Sequence, residues 1–136
     1  MQEYPVAAEV ADAEFYRFID FNEIDADESA MTAEELKEFS SLKRTVVLAI
    51  MKGSLVLDEN GIFSFTPRRS ADRTPLVFHE PRGSAYIAMD KKKKTEDVGK
   101  MFATMGDICR VEPKTFALMM GADVKVCLAI TTLFLA

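Results

Sequence analysis

His79 is the sole histidine of the chain, and Cys109 and Cys127 are its two cysteines. Imidazole and thiolate supply most general bases and nucleophiles near neutral pH, so catalysis of that kind would have to be built at these positions. A fold can bring His79 to Ser84 or Cys109, because nucleophile and base need not be neighbours in sequence. The local pattern gives no support for it: His79 sits between Phe78 and Glu80 at the end of an apolar run, the ordinary setting of a strand histidine. Both cysteines lie in apolar, helix-like sequence and read as small buried hydrophobes of a reducing compartment, not as a disulfide. One histidine cannot make a histidine-rich metal site, and no Gly-rich phosphate loop, G-x-S-x-G elbow or H-E-x-x-H motif is present. The reading is non-enzymatic, with no catalytic residue, metal or cofactor.

Two further groups have the right residue types for a ligand. Asp25, Asp27 and Ser29 sit at the first, third and fifth places of a calcium loop, but the sixth place is Ala30 instead of glycine and the twelfth is Leu36 instead of a bidentate glutamate. The spacing fails at both diagnostic points, and an acidic loop leading into a helix N-terminus accounts for the same residues. Arg68, Arg69, Arg73 and Arg82, with the run Lys91–Lys94, are the candidates for binding nucleic acid. No aromatic residue is interleaved with them for base stacking, and the net charge is −5. Nucleic acid is therefore the alternative function class, and the lysines read as a solvated turn between helices.

The charge is divided along the chain. Residues 1–40 hold 12 Asp/Glu against 2 Lys/Arg, and residues 41–136 hold 10 against 15, giving −10 and +5 for the two parts of the net −5. Residues 1–31 are read as an acidic N-terminal arm on a single domain, 32–136, and the arm as dispensable for folding. The 136 residues suffice for a core without disulfides or metal, and 49% apolar content argues against disorder. No window has the length and apolarity of a membrane span, and the N-terminus has no basic start followed by an apolar run, so a cytoplasmic location is expected.

The elements that must position these side chains follow from period and punctuation. Phe15, Phe18, Ile19 and Phe21 form a short apolar cluster that packs on something. Thr32-Ala-Glu-Glu35 matches a capping box, and Leu36, Phe39, Leu42, Val46 and Ile50 recur at helical steps up to Gly53. One long amphipathic helix is predicted over 33–52. Residues 54–57 and 62–65 flank Asp58-Glu-Asn-Gly61 as a β-hairpin, with Gly61 at positive φ, and 76–79 supplies a third strand. From Ser84 the pattern is helical. Thr95, Pro113 and Asp123 are read as N-cap, first-turn proline and N-cap of three successive helices. The prediction is an α+β fold: 32–83 as helix plus a small antiparallel sheet of about three strands, and 84–136 as a bundle of three to four helices. The last helix, 124–135, is apolar on nearly all sides, so it belongs either in the core or at an interface.

This order, a helix ending Ala-Ile-Met-Lys-Gly53, the hairpin SLVLDENGIFSFTP, the strand PLVFHEP leading into Arg82-Gly-Ser-Ala-Tyr86, and a helical tail with Met120-Gly-Ala-Asp123 and Leu133-Phe134, resembles the tail assembly chaperones of long-tailed bacteriophages. The resemblance covers residues 46–136. It implies a cytoplasmic, non-enzymatic protein that binds the tape measure protein, assists tail tube protein to polymerise around it, and is absent from the virion. A long client with apolar stripes needs reversible cover, and unbranched methionines adapt to such surfaces. The partner-binding residues read on that basis are Met101, Met105, Met119, Met120, Leu128 and Phe134, although each methionine singly fits a core filler equally well. A homo-oligomer is compatible with the same reading.

Overall fold

The computed structural model describes residues 3–91 and 97–135. Over them the chain runs α1 (Ala8–Phe21), a 3-10 turn (Glu28–Ala30), α2 (Ala33–Met51), β1 (Leu55–Leu57), β2 (Phe63–Phe65), β3 (Leu76–Phe78), α3 (Gly83–Lys91), α4 (Asp97–Cys109), α5 (Lys114–Ala117) and α6 (Gly121–Leu135). The α+β class, the long amphipathic helix, the three-stranded antiparallel sheet and the helical C-terminal part are as the sequence predicts. No helix among the described residues is long and apolar enough to cross a membrane.

Local chemistry accounts for the middle of the chain. The Glu35 amide donates to Thr32 Oγ1 and the Thr32 amide to Glu35 Oε1, each at 3.1 Å, so α2 starts on a closed capping box. It ends at Lys52, followed by Gly53 at φ 81°. In the hairpin, the Gly61 amide donates to the Asp58 carbonyl, the Asp58 carboxylate accepts from the Asn60 and Ile62 amides, and Gly61 has φ 76°. Asn60 is not left-handed, so the connection is a turn followed by a left-handed glycine instead of the two-residue mirror-image turn that Asn-Gly often makes. Any side chain at 61 would also strike Phe21, whose ring lies 2.4 Å from the position a Cβ would take.

The sheet has the order β1-β2-β3, with Leu55, Phe63, Phe65, Leu76 and Phe78 turned into the core. α6 packs on α2 and on α4, and Phe18 of α1 meets its Phe134 edge to face with centroids 5.2 Å apart. Covered from these directions, the helix buries Cys127, Ala129, Ile130, Leu133 and Phe134. Its all-round apolarity is therefore that of a central core helix.

The acidic segment does not behave as a separate arm. α1 buries Ala11, Phe15, Phe18 and Ile19 in the same core, and Phe18 also stacks at 4.5 Å on Phe63 of β2. Upstream, the Val6 amide donates to the Met51 carbonyl at 3.1 Å. Lys43 of α2 reaches the Asp12 carboxylate at 2.8 Å and the Tyr16 hydroxyl at 3.0 Å, and the Asp12 bond is the main reason its pKa is raised. The boundary expected at residue 31 is thus no packing boundary. The high acidic content masked an amphipathic helix whose charges face outward. The lysines 92–94 and the N-cap read at Thr95 lie outside the described residues.

Candidate protein-binding surfaces

The residues that could have carried chemistry are not joined. Ser84 Oγ donates to Asp107 Oδ1 at 2.9 Å, and among the described residues no hydrogen bond links His79 to Ser84 or Cys109. His79 is half-buried, and its pKa is lowered by burial first and then by the positive charges of Arg110 and Arg82. Burial pushes the Cys109 thiol up to about 12 and raises Cys127 as well, so neither is a thiolate near neutral pH. Among the described residues no three His, Cys, Asp or Glu side chains are placed to hold a metal ion.

A groove of about 940 Å³ has a defined chemical character. Its floor is apolar: Leu48 and Ala49 from α2, Phe65 from β2 and Val126 from α6, with Tyr4 and Pro5 along one side. Its rim carries five exposed basic side chains, Arg44, Lys52, Arg68, Arg69 and Lys125, together with Glu3. Arg44 comes from α2 and Lys52 from its C-cap. Arg68 and Arg69 belong to the polar loop between β2 and β3, which is held by Asp123. That carboxylate accepts the Arg68 and Arg69 amides at 3.0 Å, the Ser70 amide at 2.9 Å and the Ser70 hydroxyl at 2.6 Å. Ser70 Oγ in turn accepts the Met120 amide at 3.0 Å, tying the loop to the start of α6.

Asp123 was expected to cap the last helix. The helix begins two residues earlier, at Gly121, and Asp123 lies in its first turn, buried and committed to a loop more than fifty residues back in sequence. Burial works against its charge, yet the hydroxyl and the three amides outweigh that effect and hold the carboxyl below the ordinary aspartate value. The acid thus fixes where two rim arginines stand.

The six residues read as partner-binding divide. Met105 is fully buried and Phe134 is 8% exposed, so both are core residues. Met101, Met119 and Leu128 are half-buried, the last two packed on the edge of the core. Met120 is 54% exposed, beside Leu118 at 80%. Periodicity alone cannot separate these cases: Met101, Met105, Leu128 and Phe134 fall in helices with apolar residues on several faces, while Met119 and Met120 lie on the connection between α5 and α6. Exposed large apolar side chains the sequence reading passed over are Tyr86 and Ile87 on α3 and Val98 on α4. Of the basic rim, Arg68 and Arg69 stand out as basic candidates in the sequence, whereas Arg44, Lys52 and Lys125 join them only through the tertiary fold.

No family model matches this chain, and neither a curated protein nor a solved structure matches it.

Proposed function

We propose that the chain is a non-enzymatic tail assembly chaperone of the long-tailed-phage kind, which binds the tape measure protein in the host cytoplasm and assists tail tube polymerisation around it. The observation that carries this reading is the distribution of exposed apolar side chains. Among the described residues, five of the nine large ones, Tyr86, Ile87, Val98, Leu118 and Met120, fall in the helical C-terminal half, within the stretch on which the resemblance rests. Single exposed apolar residues are ordinary on a protein surface, and five on the helical half are what cover for apolar stripes of a client helix would use. Leu118 and Met120 flank Met119 on the connection into α6, where unbranched side chains can adapt to a varied sequence.

The test is co-expression with a tape measure protein. The client is expected to stay soluble and to co-purify with the chain, and a Leu118→Glu/Met120→Glu variant is expected to fold normally yet leave the client insoluble. A client equally insoluble with and without the wild-type chain would overturn the reading. The basic rim of the groove favours a second reading, a nucleic-acid-binding protein acting through Arg68 and Arg69. Its mark would be a mobility shift that weakens steeply with salt.

A further inference from the structure

A separate pocket of about 590 Å³ lies where α3 and α4 meet the turn into α5. Ala88, Ala103 and Gly106 leave it roomy, Pro113 adds an apolar edge, and Arg82 and Arg110, both exposed, line it as well. Among the described residues neither guanidinium has an ion pair or a hydrogen bond. The two carboxylates of the pocket have partners of their own: Asp107 accepts from Ser84 Oγ at 2.9 Å, and Glu112 pairs with Lys114 at 3.1 Å. Positive charge is therefore left over. Both arginines also act on the half-buried His79, whose pKa they lower after burial has done so first, while Glu80 next to it is exposed.

Arg110 is held, in addition, in a conformation that its side chain does not favour. The Val111 amide donates to the Gly106 carbonyl at 2.9 Å, the long-range bond of a Schellman ending, and Arg110 fills the left-handed position before it with φ 58°. Glycine is the ordinary residue there, because it alone adopts that backbone without strain. An arginine near a helix end can also serve by bonding the last carbonyls, but Arg110 makes no such bond among the described residues. Strained positions of this kind collect at ligand sites, where the side chain matters more than the backbone it disturbs.

From these observations we propose that this pocket binds a phosphate group, free or as a small monoester, through Arg82 and Arg110. A guanidinium is a planar fork that meets phosphate oxygens two at a time, and two of them match the two charges of the dianion. The volume is that of a small-molecule site and exceeds what a phosphate alone fills, so the organic part of an ester has Ala88, Ala103 and Pro113 to lie against. The inference goes beyond the proposed function and needs no client.

The sole histidine is the reporter that tests it. Proton NMR of the full-length chain follows the His79 ring signals near neutral pH and at constant ionic strength, during titration with inorganic phosphate and, separately, with phenyl phosphate. Saturable shifts are expected with both, and the pKa of His79 is expected to rise toward its ordinary value, because the bound dianion offsets the two arginine charges. A tighter curve for phenyl phosphate assigns the site to monoesters, and equal curves assign it to the free anion. Arg110→Gly removes one guanidinium and the backbone strain together. It is expected to bind at least about tenfold more weakly, the scale of one charged hydrogen bond, while melting no lower than the wild type. Arg82→Gln, at an exposed position, is expected to weaken binding to a similar degree with an unchanged circular dichroism spectrum. The proposal is overturned if the His79 shifts are no larger than those given by sodium chloride at the same ionic strength, or if either variant binds phosphate as the wild type does.

Discussion

Asp123 shows what a single side chain does here and why its role was hidden. Read locally, an aspartate ahead of an apolar helix is an N-cap, and that rule worked for Thr32, whose partners lie within three residues. The partners of Asp123 are Arg68, Arg69 and Ser70, and no short-range pattern pairs them. Replacing it by Asn would turn a donor toward a cluster of donors, and the loss at neutral pH is expected to be about 1–3 kcal/mol, as for charged hydrogen bonds. Because the folded carboxyl titrates below its unfolded value of about 3.9, its contribution is present above that pH and disappears as the pH falls through the lower folded value. Chemical denaturation of both proteins from pH 7 downward checks this: the gap in stability should hold to about pH 5 and close below about pH 4. A gap that is independent of pH would mean that the carboxylate charge is not what holds the loop.

Among the elements, α2 and the hairpin were legible because their signals are short: a capping box, a helical period and glycines 53 and 61, both at positive φ. α1 was partly legible, since its four apolar residues were visible at Phe15 to Phe21, but the carboxylates around them suggested a detached arm. In the fold, Phe15 packs on Phe39 and Phe18 touches both Phe63 and Phe134, so one short helix joins α2, the sheet and α6. Truncating a buried phenylalanine costs about 3–5 kcal/mol. Two such losses approach the whole stability of an ordinary domain, about 5–15 kcal/mol. Deleting residues 1–21 is therefore expected to abolish cooperative unfolding, as followed by circular dichroism against denaturant. A truncated chain that melts in one sharp transition near the wild-type midpoint would show that the acidic segment is an appendage after all.

For the whole molecule, the sequence supplied the charge division, −10 over residues 1–40 against +5 over the rest, but not its geometry. That division reads as an acidic arm on a basic body. Instead α1 is built into the body, and Lys43 of α2 pairs with its Asp12. The last helix shows the same limit: its composition admitted core or interface, and only the placement of α1, α2 and α4 around it decided for the core. Phe134 and Met105 are thereby core residues, and under the proposed function a client would meet the exposed apolar residues of the α3 to α5 region. The most direct measurement is a titration of the isotope-labelled chain with a soluble helical segment of the tape measure protein, followed by amide NMR. The account predicts saturable shifts at Tyr86, Ile87, Leu118 and Met120 while the interior of α6 stays unmoved; a spectrum unchanged at excess segment would contradict it.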